Sequence, residues 1–169
     1  ANAVTLPGGI IYVFYGLIEK AENPDEVAGV IAHELGHVAH RDGTRTVLQQ
    51  GAMSLLFGLL LGDFVGGGAV IIAAKAILQT SYSRGVEAAA DDYAVDLMKT
   101  LGADPRALGT ILTRIAGSSH GSLKLLLDHP ETKDRVNAIN ARAGAGPTGA
   151  ILTPSEWADV RRICSGSKG

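Results

Sequence analysis

The chain is 169 residues long, carries 15 basic and 17 acidic side chains for a formal net charge of −2, and holds one cysteine. That length fits a single domain with a sizeable core. The charge balance supplies no polybasic surface, which argues against nucleic acid as a partner. The lone Cys164 excludes an internal disulfide and a thiolate metal cluster, and reads as a small apolar residue near the C-terminus. No secretory-signal pattern opens the chain, which begins abruptly in what reads as a strand, so it is expected to be one domain excised from a longer protein.

Residues 1–5 and 10–15 are rich in β-branched and aromatic side chains on either side of Leu6-Pro7-Gly8-Gly9, a turn signal, and together they predict a β-hairpin. A helix is predicted next, from about Pro24 to Arg41. Asn23 suits its N-cap, Pro24 its first helical position, and Asp25 and Glu26 place negative charge in its first turn. At about 100° per residue, Val27, Ile31, Glu34 and Val38 form one stripe, with Val30, His33 and His37 along its edge. Glu34 is therefore a carboxylate aimed at the core. That placement is costly unless a compensating group, such as a metal, stands beside it.

The run His33-Glu34-Leu35-Gly36-His37 points to that metal. Histidines at i and i+4 lie one turn above each other on a helix, so both can reach one tetrahedral Zn²⁺. Glu34 then sits where a carboxylate can take a proton from an attacking water. His40 points away from Glu34 and is expected at the surface.

Residues 51–80 are the most apolar stretch. Asp63 and Gly66-Gly67-Gly68 divide it into two pieces, each short of the ~20 apolar residues that span a bilayer. It reads as two helices about a glycine hinge, packed in the core or touching a membrane or partner protein. A gating lid is a further reading.

Residues 81–98 predict another helix, with Ala90, Ala94, Val95, Leu97 and Met98 on its apolar stripe. Glu87 and Asp91 fall within that stripe, whereas Asp92, Asp96 and Lys99 fall on the opposite face. Catalytic zinc takes three protein ligands and keeps one position open. Glu87 is accordingly assigned as the third ligand, and Asp91, one turn on, as the acceptor that orients a ligand histidine through its other ring nitrogen. Arg84, one turn before Glu87, has two readings: a cation balancing the two buried carboxylates, or a surface charge at the start of the helix.

Asp104 and Pro105 start a further helix that Gly117 can end, and a loop with an exposed His120 follows. Pro130 starts a helix carrying Arg135. Residues 143–150 form a Gly/Ala/Pro linker. Thr153-Pro154-Ser155-Glu156 then makes a capping box for a short last helix, which Trp157 anchors to the body of the domain.

The HELGH run and the downstream pattern S-R-x-x-E-x-x-A-D, from Ser83 to Asp91, resemble the membrane-associated zinc metallopeptidases. These include the CAAX prenyl proteases of the Ste24 type, HtpX and the periplasmic BepA-like proteases. The resemblance extends from Asn2-Ala3 and Leu6-Pro7-Gly8-Gly9 to Asp128-His129-Pro130 and Arg135. It implies His33, His37 and Glu87 as the ligands of one Zn²⁺ per chain and Glu34 as the catalytic base, in agreement with the residue-level reading. It places His129 near the zinc, as an oxyanion-stabilising group or as a fourth ligand that silences the enzyme; helix capping is the alternative. Arg135 joins Asp91 and Arg84 among the groups expected to support the ligands.

The expected fold is α+β and mainly α-helical, a zincin-like metallopeptidase domain with a small β-hairpin at the active-site edge. Asn2, Ala3 and Val4 on that edge are expected to hold an extended substrate by backbone pairing, unless the hairpin is a purely structural cover for the helix. The expected function is a zinc-dependent endopeptidase acting on polypeptides, misfolded or membrane and envelope proteins among them. The alternative is a latent, self-inhibited quality-control or assembly factor that mainly binds client proteins. The resemblance implies a membrane-associated or periplasmic location.

Overall fold

Pro7 and Gly8 occupy the second and third positions of a turn closed by the Gly9 N–H donating to Leu6 O at 3.2 Å, with Gly8 at φ 95° as a type II turn requires. The strands it joins, β1 (Ala3–Leu6) and β2 (Ile10–Val13), pair antiparallel from Ala3↔Val13 to Leu6↔Ile10. They open a computed structural model that describes residues 3–49, 52, 82–117, 133–147 and 149–163. The expected helices and hinge of 51–80, apart from residue 52, lie outside the described residues, as do Asn2, His120, His129 and Cys164.

The second strand ends earlier than its composition predicts. Tyr15 opens a short helix, α1 (Tyr15–Lys20), which carries Leu17 into the core at 1% exposure. Burying one leucine while leaving Glu19 and Lys20 in water suits a helical turn better than a continued strand.

Helix α2 (Pro24–His40) starts as the local signals predict, with the Asn23 side chain accepting the Glu26 N–H at 3.1 Å and Pro24 in the first turn. It stops at Arg41, which adopts a left-handed conformation at φ 58°. The acids of its first turn do more than complement the helix dipole. Asp25 is buried and accepts the backbone N–H groups of Asp104 and Ile151 at 2.9 and 2.8 Å. Glu26, also buried, accepts from Glu22 N–H and forms a two-pronged ion pair with Arg114.

Helix α3 (Arg84–Thr100) begins at Ser83, whose hydroxyl accepts the Val86 N–H. It crosses α2 at very short range. A Cβ built on Gly36 would lie 2.9 Å from the Ala90 Cα, so only glycine lets the two backbones approach this closely. Helix α4 (Arg106–Gly117) approaches α2 in the same way, at Gly29 against Leu108. Helix α5 (Lys133–Ala143) packs on α3 and α4, and α6 (Pro154–Arg162) closes the described chain. The capping box of α6 is complete: Thr153 Oγ1 accepts the Glu156 N–H, and Glu156 accepts the Thr153 N–H.

One apolar cluster joins Ala32 of α2 to Ala94, Val95 and Met98 of α3, Leu108 of α4 and Ile139 of α5. A second joins Ala3, Leu17, Val27, Ile111 and Ile115, with Trp157 packed against it. The fold is α+β and mainly α-helical, with its two-stranded sheet laid against α2. Among the described residues, no helix is long and apolar enough to cross a membrane.

Candidate active site

The contact at Gly36 and Ala90 sets α2 and α3 side by side, so residues one turn apart on each helix meet across the seam. His33 and His37 face Glu87 and Asp91 there. All four are buried: His33 is 5% exposed, His37 0%, Glu87 1% and Asp91 5%.

The Nε2 atoms of His33 and His37 stand 3.1 Å apart. Glu87 Oε2 lies 3.5 Å from the former, and Glu87 Oε1 lies 3.7 Å from the latter. One ligand atom from each of the three residues lies within 4.8 Å of the others.

The outer ring nitrogens show what this cluster is suited to hold. His37 Nδ1–H donates to Asp42 Oδ2 at 2.9 Å, and His33 Nδ1 lies 2.9 Å from Asp91 Oδ1. With the His37 Nδ1 proton on Asp42 and His33 Nδ1 beside Asp91, both Nε2 atoms face inward, toward each other and toward the Glu87 carboxylate. Acceptors that converge in a buried space require a proton or a cation between them. Two imidazoles and one carboxylate are also a donor set suited to zinc.

Arg135 supplies the remaining charge balance. Its Nη1 lies 2.8 Å from Glu87 Oε2, and its Nε and Nη2 donate to the two oxygens of Asp91 at 2.8 Å each. One buried guanidinium thus steadies both the Glu87 carboxylate and the carboxylate facing His33. Arg84, by contrast, is exposed at the start of α3. Of the two readings of Arg84, its exposure fits the surface charge at the helix start, while α5 brings Arg135 inward to the two carboxylates.

Burial alone would lower the His33 pKa, but the hydrogen bonds and charges of Asp91 and Glu87 outweigh it and raise the value from 6.5 to about 9. Burial alone would raise Asp91, yet Arg135 and His33 hold it below the ordinary carboxylate range. In the metal-free chain, a proton on His33 thus performs part of the task a cation would perform. Because the folded value lies above the unfolded one, this stabilisation is complete below pH 6.5 and is lost as pH rises through about 9. The urea midpoint of chelator-treated protein is expected to fall across that window, and saturating zinc to flatten the fall. A midpoint independent of pH without metal would contradict the arrangement.

Glu34 points to the hairpin side and is 2% exposed. Its Oε2 accepts the Thr5 hydroxyl at 2.6 Å. The Tyr82 ring stacks on His37, with centroids 4.5 Å apart and planes inclined by 16°. A cavity of about 350 Å³ opens beside His37, walled by Thr5, Gly9, Val38, Arg41 and Thr44. Another, of about 400 Å³, lies on the far side of Glu87 between α3 and α5, with Arg84, Arg135, Ala138 and Ile139 on its wall. Ala3 is buried against the second core cluster and Val4 is half-buried. His40 is half-buried rather than at the surface, with its ring 6.1 Å from that of Tyr93.

Three contributors went unassigned from sequence. Asp42 follows the left-handed Arg41, and that reversal returns it to His37; an acid just past the helix end was the available signal. Thr5 and Tyr82 reach the site from outside the two helices, and nothing in their local pattern marks them.

Comparison with known proteins agrees with this geometry. The chain is 30% identical over 151 residues to metalloprotease LoiP of Escherichia coli, an alignment covering 85% of this chain and 59% of LoiP. It is 34% identical over 137 residues to the mitochondrial metalloendopeptidase OMA1 of Arabidopsis thaliana, covering 79% of this chain and 28% of that protein. A beta-barrel assembly-enhancing protease of Yersinia pestis is 27% identical over 158 residues, covering 84% of this chain and 32% of the relative. The chain therefore spans only part of the length of each of these relatives. The model of peptidase family M48 matches residues 1–143. Since that match runs from the hairpin through the HELGH and Glu87 helices to the end of α5, the chain belongs to peptidase family M48, metallopeptidases with a zincin-like fold.

Proposed function

We propose that the chain is the catalytic domain of a zinc-dependent endopeptidase. The observation that carries this reading is the buried convergence of two imidazole Nε2 atoms and one carboxylate, with Glu34 adjacent on the same helix. His33, His37 and Glu87 would hold the zinc. Bound there, zinc supplies Lewis acidity, which lowers the pKa of water toward ~7 and polarises a peptide carbonyl.

The chain's own residues do the rest. Asp91 and Asp42 keep the inner nitrogens of His33 and His37 free of protons when metal is present. Arg135 holds Glu87 in place and offsets the carboxylate charge. Glu34 removes the proton from the attacking water and passes it to the leaving amine. The substrate lies extended along the β1 edge at Ala3 and Val4, where backbone pairing accepts varied side chains; Asn2, expected to join them, lies outside the described residues. His129 is assigned no role here, because it lies outside the described residues.

Unfolded polypeptides are the substrate class that suits an edge strand beside a buried catalytic centre, since only an extended segment can lie against it. The names of the relatives, a beta-barrel assembly-enhancing protease and a mitochondrial metalloendopeptidase, favour clients at a membrane or bacterial envelope and a location there. The test is digestion of casein by the zinc-loaded chain. Cleavage is expected, with loss on chelation and return on zinc addition. Intact casein in the presence of protein holding one zinc per chain would overturn the reading.

A further inference from the structure

The Thr5 hydroxyl makes two contacts with one residue of α2: the Glu34 carboxylate at 2.6 Å and the Glu34 carbonyl oxygen at 3.2 Å. A hydroxyl carries a single proton, so the shorter contact identifies the carboxylate as its principal acceptor. The direction of the side chain is set by strand alternation. Ala3 and Thr5 leave β1 on the same face, and that face lies against α2.

A purely structural role does not account for Thr5. Ala3, on that same face, is 1% exposed and packs in the cluster with Val27 of α2, so an apolar contact already joins the hairpin to the helix. A hydroxyl at the next inward position adds something an apolar residue would not: a directed donor to the one carboxylate on that helix next to the metal-binding cluster. Threonine also suits the task because its β-branched side chain is stiff about χ1 in a strand, which holds the donor in one orientation.

We propose that Thr5 is a positioning residue for Glu34, the hydroxyl on the substrate-edge strand holding the catalytic carboxylate in the orientation that proton transfer needs. This rests on the reading of Glu34 as the base. Proton transfer demands a donor and acceptor within hydrogen-bond reach, and a carboxylate free to swing spends less time there. The same bond ties the strand expected to bind substrate to the group expected to act on it. Thr5 also forms part of the wall of the cavity beside His37.

The test compares casein-peptide cleavage by the wild-type chain, Thr5→Val, Thr5→Ser and Glu34→Gln, each zinc-loaded and each assayed for zinc content and Tm. Valine keeps the shape and removes the donor. Thr5→Val is expected to lower kcat about tenfold with KM changed less than about twofold, as misorientation of a general base does. Zinc content should stay at the wild-type value and Tm fall by no more than about a few degrees, as one unmade hydrogen bond to a buried carboxylate costs, and Thr5→Ser should recover most of the lost kcat. Unchanged kcat in Thr5→Val overturns the proposal. Loss of zinc or a collapse in Tm with the loss of activity also overturns it, in favour of a structural pin, as does a serine variant no better than valine. Glu34→Gln separates the two levels: if that variant cleaves normally the reading of the base has failed, whereas an inactive Glu34→Gln beside a fully active Thr5→Val removes Thr5 alone.

Discussion

Glu34→Gln is expected to leave zinc content and melting temperature at wild-type values while casein cleavage falls by about 10²–10⁴-fold, the range that a general base contributes. The amide matches the carboxylate in shape and still offers an oxygen to the Thr5 hydroxyl, which now stands 2.6 Å from Glu34 Oε2. It cannot take up a proton at neutral pH. Removing a charge from a side chain only 2% exposed also relieves a desolvation cost, so lost folding is not the expected cause of lost activity. Initial rates on a fluorescent casein, normalised to bound zinc, measure the effect. Turnover within a few-fold of wild type would show that the proton travels by another group.

Arg135→Met should produce the largest loss of stability. The guanidinium is 8% exposed and lies within 2.8 Å of carboxylate oxygens on both Glu87 and Asp91. Methionine fills much of the volume but leaves two buried acids one helical turn apart without their shared cation. Removing one partner of a buried ion pair typically costs ~3–5 kcal/mol, because the other charge stays desolvated. The protonated His33 supplies a partial counter-charge in the metal-free protein. A divalent cation supplies more. Urea unfolding of the variant and wild type is therefore expected to show a larger loss in the chelated form than in the zinc-loaded one. Equal stability of variant and wild type in the chelated form would remove Arg135 from its role as counter-charge.

Much of this site can be read along the chain because it is helical. A period of 3.6 residues places His33 above His37, and Glu87 above Asp91, whatever the rest of the molecule does. The same period marks Glu34, Glu87 and Asp91 as acids on apolar stripes, and the structure buries all three. Helix starts are equally local: Asn23 and Thr153, both predicted as caps, each cap the helix that follows through a side-chain oxygen and a backbone N–H three residues on. Ser83 does the same for α3, whose predicted start is residue 81.

Where readings failed or were missing, the deciding contact crossed between elements. Asp25 and Glu26 look like ordinary first-turn acids, yet they hold Asp104, Ile151 and Arg114, partners far along the chain. Arg84 and Arg135 are both expected near the ligands, with Arg84 also open to a surface position, and the packing of α5 on α3 is what sets Arg135 against Glu87 and Asp91. Tyr15 carries a strand-forming side chain, but the place waiting for Leu17 in the core makes its segment helical.

The sequence by itself determined the local geometry of this protein: the helix that carries HELGH with its Asn23 cap, and the helix that carries Glu87 and Asp91. Backbone hydrogen bonds within one element set those spacings, so they need no knowledge of neighbours. Only the tertiary structure decided which groups complete the site: Asp42 behind His37, Thr5 on Glu34, and Arg135 between Glu87 and Asp91. Those pairings depend on how closely surfaces approach, as at Gly36 against Ala90, and an approach distance is a property of two packed elements that neither one encodes alone.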